Sequence, residues 1–218
     1  LREDKLAAYK KRGRDVYAFH ACYSYPPPGL KELTLNPCDN DDRTRSLLRD
    51  NIRIASELGT QKNQQVLVLH AGQVVDATHI PQGIENTIQL LNSVVDYAKE
   101  KRVMIALENL YNHNGDVVIG AENHIELVEI ADEIGSKQIG FTFDWGHANV
   151  TARDINLPEA DLRSFEHQKQ VISDFGKRIV HGHIHYNHNH LEDLRSKFSN
   201  NYVQRDEHLP LTRIKPDE

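Results

Sequence analysis

At 218 residues, 39% apolar and 27% charged, the chain has the composition of an ordinary soluble globular protein, long enough for one large core and read here as a single domain over 1–218. The sequence contains no run of about 18 apolar residues and no signal-like opening segment, which argues against membrane insertion and secretion. Two cysteines, Cys22 and Cys38, make no disulfide framework, so a cytoplasmic protein is expected, and a net charge of −6 gives no overall attraction to nucleic-acid backbones.

Taken in chain order, a polar helix-like stretch from Asp4 to Arg12 turns at Gly13 into a strand candidate, Val16 to His20. A proline-rich loop (Pro26 to Gly29) follows, and then Leu48, Ile52, Ala55 and Leu58 make the stripe of a helix closed by Gly59. Val66 to Leu69 is a continuous apolar run of the kind buried on both faces of a parallel sheet. Ile84, Ile88, Leu91, Val95 and Ala98 predict one long helix, and Val103 to Leu107 the next strand. Leu127, Ala131 and Ile134 stripe a helix ended by Gly135, and Ile139 to Phe143 is again a strand. Phe165, Ile172 and Phe175 stripe the last helix, before a strand from Ile179 to His185. This βα alternation predicts an α/β fold of the (β/α)8 barrel type. Such a barrel takes about 250 residues. We therefore expect this chain to lack the first strand and the last β/α unit, as part of a longer protein.

Five strand candidates end in a ligand-type residue: His20, His70, Glu108, Asp144 and His183, at intervals of 50, 38, 36 and 39. That interval is one strand, one helix and two loops, so a parallel barrel would bring all five to one mouth. Taken singly, each has a plainer reading. His70 alone suits a hydrogen-bonded strand end, and Glu108 beside a core needs a cation or donor that an arginine would also satisfy. Asp144 and His147 form a D-x-x-H pair that reads equally as an aspartate capping the next turn with a surface histidine. Five such explanations at regular spacing are less economical than one metal site.

On the last strand His181, His183 and His185 share a face, about 6.6 Å apart, too far for all three to meet one ion. Asp206 and His208 form a D-x-H pair with chelating direction in extended chain. Arg43, Arg45, Arg49 and Arg53 make a basic helix face, read as solvated surface because helices of this fold lie outside.

The set His20 with Tyr23, Leu-His-Ala-Gly72, Ala-Leu-Glu-Asn109, Thr-Phe-Asp-Trp-Gly-His-Ala-Asn149, His-Ile-His185 and Asp-Glu-His-Leu-Pro-Leu211 resembles the xylose-isomerase-like barrels. That superfamily holds sugar isomerases and epimerases together with the endonuclease IV type of abasic-site nuclease. The resemblance, over roughly residues 16 to 211, implies metal ligation by Glu108, Asp144 and His183, the set common to many of the sugar enzymes. In the nuclease branch it implies that His20 and His70 hold another zinc with Glu108, and that His147, Asp206 and His208 hold a third. The family's final ligand glutamate has no counterpart here, as expected of a shortened chain, and Tyr186 stands where many relatives carry an aspartate.

Three functions follow from these residues. The favoured one is a sugar or sugar-phosphate isomerase or epimerase dependent on a divalent metal (Zn, Mn, Mg or Co), with Glu108 as the catalytic carboxylate and Asn109, Asn149 and His185 binding substrate. The second is an endonuclease IV-like enzyme acting on abasic DNA. The third is a metal-binding protein without turnover.

Overall fold

The computed structural model describes residues 7, 11, 16–21, 35–59, 64–74, 77–110, 118–119, 124–152 and 160–184. Five strands form one sheet: β1 (Ala18–His20), β2 (Gln65–Leu69), β4 (Val103–Glu108), β6 (Ile139–Asp144) and β7 (Ile179–His183), in that spatial order. Every neighbouring pair is parallel. Between them run α1 (Asp42–Leu58), α2 (Ile80–Asn92), α3 (Val95–Glu100), α4 (His124–Ile134), α5 (Trp145–Ala152) and α6 (Ala160–Phe175). The predicted α/β alternation is therefore the observed one, an arc of a β/α barrel.

Period-two alternation divides each strand between two environments. Leu67, Leu69, Ile105, Leu107, Phe141 and Phe143 are at most 2% exposed and belong to the core shared with the helices. Phe141, for example, stacks on Phe175 of α6 at 4.2 Å. The opposite face carries small residues, Val68, Ala106, Gly140 and Thr142, and ends in the polar set. The register aligns His20 with Val68, Glu108 with Thr142 and Asp144 with His183. The ends of β1, β4, β6 and β7, with His70 just past β2, thus deliver their functional groups to one mouth.

α1 begins where the Asp41 carboxylate accepts from Thr44 N at 2.6 Å, and it buries the predicted stripe of Leu48, Ile52 and Ala55. The long helix predicted from Ile84 to Ala98 is two helices. Ser93 turns its hydroxyl back onto Leu90 O at 2.6 Å and Val94 N bonds Leu91 O, which tightens the turn and breaks the ladder. Leu91 and Ala98 stay buried on either side, so the apolar stripe survives the break and conceals it from a periodicity reading. The last strand stops at His183, two residues short of the expected end, and an irregularity in its pairing with β6 falls between Phe141 and Thr142. No helix among the described residues is long and apolar enough to cross a membrane.

A second, antiparallel pair joins β3 (Gln73–Val74) to β5 (Val118–Ile119), which the sequence did not announce. It is reached through Gly72 at φ +115, where a Cβ would come within 2.7 Å of Asn36 Oδ1, Cys38 N and Cys38 Sγ. The Asn36 amide pairs with both main-chain groups of Gln73, at 2.8 and 3.0 Å, and so pins the segment that leaves His70. Gly72→Ala should lower stability by about 2 kcal/mol, read as a lower urea midpoint. A wild-type midpoint would mean that the 36–38 turn yields without cost.

Candidate metal centre

Glu108, the last residue of β4, is 1% exposed and sits among imidazoles. Its Oε2 lies 3.1 Å from His20 Nε2 and 3.3 Å from His70 Nε2. Its Oε1 lies 2.8 Å from His183 Nδ1 and 3.6 Å from His147 Nδ1. Asp144 completes the cluster, with Oδ2 at 3.4 Å from His183 Nδ1 and Oδ1 at 3.6 Å from His147 Nδ1. The rings of His20 and His70 meet edge to face at 5.0 Å, and His20 stacks over His183 at 5.9 Å.

The D-x-x-H pair combines both readings open to it. α5 starts directly on β6, and Asp144 caps it, Oδ1 accepting from His147 N at 2.7 Å. Yet His147 is no surface residue: it is 4% exposed and its Nδ1 donates to Asn109 O at 2.9 Å. The cap uses one carboxylate oxygen and leaves the other facing His183.

Burial favours a neutral Glu108, but hydrogen bonds from His183, His20 and His70 outweigh it and hold the carboxyl well below its usual range. His183 is the converse case. The carboxylates of Asp144 and Glu108 raise its pKa to about 10 against the opposing effect of burial. Burial pushes His70 down, only partly offset by Glu108. His181 is lowered by burial and then by the charge of His183, beside which its ring stands at 5.1 Å.

The donor set fits a divalent cation. His20 Nδ1 donates to Ala21 O at 2.9 Å, so Nε2 bonds Glu108 Oε2 only by carrying a second proton, whose place between the two atoms a metal would take. Two acceptors at 3.1 Å repel unless a cation lies between them, and that cation is a proton or a metal. Ions with bonds of about 2.0–2.2 Å set neighbouring ligand atoms roughly 3.0–3.5 Å apart, close to the 2.8–3.4 Å spread among His20, His70, Glu108, Asp144 and His183. Two groups of three have ligand atoms close enough to share an ion: His20, His70 and Glu108, and Glu108, Asp144 and His147. Mixed imidazole and carboxylate suits zinc, manganese or cobalt better than an all-oxygen site would.

Of the residues expected at the site, His20, His70, Glu108, Asp144, His147 and His183 converge. Asp206, His208 and His185 lie outside the described residues, as does the side chain of Asn149. Asn109, expected at a substrate hydroxyl, is 3% exposed and turns its amide onto the main chain of Asp144. The carbonyls of Ala21 and Asn109, which fix two imidazoles, went unforeseen, because any residue type supplies a carbonyl. The basic face of α1 lies outside the sheet and is engaged locally. Arg45 bonds Asp42 and Asn40, Arg53 bonds Glu57, and Arg49 lies 4.1 Å above the Tyr97 ring.

The chain belongs to the xylose isomerase-like TIM barrel family, whose model matches residues 2–213. It is 30% identical over 155 residues to an uncharacterised protein of Methanocaldococcus jannaschii, a match that takes in 70% of this chain and 48% of that protein. Among solved structures it is similar to a D-tagatose 3-epimerase-like protein, with a TM-score of 0.60 and 25% identity over 85% of this chain and 61% of the other. It shares its fold with a D-psicose 3-epimerase as well, with a TM-score of 0.56 and 13% identity over 85% and 58% of the respective chains. The chain thus spans about half the length of the curated relative and about three fifths of these structures.

Proposed function

We propose that the protein is a divalent-metal-dependent isomerase or epimerase of a sugar or sugar phosphate, acting by proton transfer at a carbon beside a carbonyl. One observation carries this reading: Glu108, Asp144 and His183, ligand-type residues from three successive parallel strands of the sheet, meet within 3.4 Å at one mouth. The epimerase names of the fold's solved neighbours agree with it. A metal held by Glu108, Asp144 and His183 would supply positive charge against the oxygens of a hydroxy-carbonyl, acidifying the hydrogen on the hydroxyl-bearing carbon beside the carbonyl. Glu108 is ionised at neutral pH and is the carboxylate placed to take or return that proton.

One observation favours the nuclease reading as the alternative. The group of His20, His70 and Glu108 is the second-ion set that the resemblance implies for that branch. Against it, the arginines of α1 are spent on local partners and form no DNA-facing rim.

The deciding experiment follows solvent deuterium and product formation in a panel of ketoses, aldoses and their phosphates, beside incision of an abasic-site duplex, each with and without chelator. Chelator-sensitive interconversion, lost by about 10³-fold or more in Glu108→Gln, is the expected result. Incision with no sugar turnover would sink the isomerase and promote the nuclease, and silence in both assays from metal-loaded protein would favour a binding protein.

A further inference from the structure

We infer that Asn109 is a positioning residue that locks Asp144 and His147 into the mouth of the sheet, its side chain holding the Asp144 main chain and its carbonyl oxygen the Nδ1–H of the His147 ring. The inference rests on the reading of Asp144 and Glu108 as metal-binding residues, and it assigns Asn109 a role other than touching substrate.

The β4–β6 ladder ends at the pair Glu108 and Thr142. Asn109 is the first residue beyond it, and its side chain carries on where the main chain stops. Nδ2 donates to Asp144 O at 3.0 Å, and Oδ1 accepts from Asp144 N at 2.9 Å. A carboxamide presents one donor and one acceptor side by side, as a peptide group does, so this two-bond pairing imitates a further rung of the sheet. Aspartate lacks the donor, glutamine is one methylene too long, and alanine has neither group.

The contacts close into a ring. Asn109 holds the main chain of Asp144, and Asp144 Oδ1 accepts from His147 N at 2.7 Å. The His147 ring returns to Asn109 by donating Nδ1–H to its main-chain oxygen at 2.9 Å. A carbonyl oxygen only accepts, so the proton of the neutral ring must sit on Nδ1. The same ring of contacts aims the Asp144 carboxylate, since the oxygen engaged by the helix cap leaves Oδ2 toward His183. At 3% and 4% exposure, Asn109 and His147 have little water to replace these bonds. Partners that orient metal ligands in this way commonly contribute 10–100-fold to metal affinity.

The test uses the whole chain, with zinc or manganese as the probe and two variants, Asn109→Ala and Asn109→Ser. The serine keeps one hydroxyl that can serve Asp144 N or Asp144 O but not both, and it adds no buried charge, so it should fold even if the alanine does not. Metal affinity is read by chelator competition, the His147 tautomer from its ring nitrogen shifts in metal-free protein, and folding from the thermal transition. We expect wild-type protein to show the Nδ1–H form, and each folded variant to lose about 10–100-fold in affinity while its His147 becomes a tautomer mixture. A folded variant that binds metal within about twofold of wild type, or that keeps the Nδ1–H form, overturns the inference. If wild-type protein binds neither metal, the metal reading fails by itself, and the tautomer in Asn109→Ser still decides the role of Asn109.

Discussion

Glu108→Ala is expected to remove divalent metal from the protein altogether, with affinity falling by about a thousandfold or more, equivalent to roughly 4 kcal/mol. Two features make this the largest single effect. Glu108 is the one residue common to both groups of potential ligands, so its loss takes a ligand from each at once. Its two oxygens also lie against four different imidazoles, which without it have no shared anion to gather around. The metal-free protein should suffer too, by about 3 kcal/mol, because removing one member of a buried ion pair leaves the charge of His183 with Asp144 alone. Glu108→Gln keeps the volume and separates the two effects: metal affinity falls as steeply, while stability falls less. Elemental analysis after dialysis, with thermal unfolding of chelated samples, measures both. Wild-type metal content in the alanine variant would eliminate the centre. The stoichiometry of wild type adds a discrimination: more than one ion per chain, returning to one in His147→Ala, would fill both groups and strengthen the nuclease alternative.

The parts of this molecule legible in its sequence were those governed by periodicity. Continuous apolar runs such as Val66–Leu69 and Val103–Leu107 mark strands covered on both faces, and both are parallel neighbours at the centre of the sheet. Strand ends at regular intervals foretold that His20, His70, Glu108, Asp144 and His183 would meet, because parallel order alone brings such ends together. What stayed hidden depends on main-chain groups and on competition within a turn. A serine hydroxyl splits one predicted helix at Ser93 without disturbing its apolar stripe. The β3–β5 pair is two residues long in each strand, too short to show alternation. Asn109 looked like a hydroxyl-binding residue because residue type reveals that an amide is polar, not which backbone it faces. Asp144 shows the same limit from the other side, since a cap and a ligand were posed as rivals and one carboxylate serves as cap while facing the cluster.

Metal affinity should rise with pH across the neutral range, by about tenfold per pH unit, and His183 is the reason. In the metal-free protein the carboxylates of Asp144 and Glu108 hold its proton up to about pH 10. A ligand nitrogen must be unprotonated, so binding at neutral pH expels that proton, and the penalty shrinks by one power of ten for each unit that the pH approaches 10. The sign for stability runs the other way. His183 has a raised pKa, so its contribution to the metal-free fold is complete below its ordinary value of 6.5 and is lost as pH rises through about 10. Glu108 has a lowered pKa, so its contribution is present above 4.5 and is lost as pH falls below it. Metal-free protein should therefore be most stable between about pH 4.5 and 6.5 as far as this pair decides, and metal should add most stability on the alkaline side. Between pH 6.5 and 8.5 the apparent dissociation constant should fall by about 100-fold, with close to one proton released per ion at the His183 position. Calorimetric titrations in buffers of different ionisation enthalpy count that proton directly. His183→Gln should bind more weakly at every pH and lose most of the slope, whereas a slope retained in that variant would mean that the displaced proton comes from another group and that His183 does not ligate the metal.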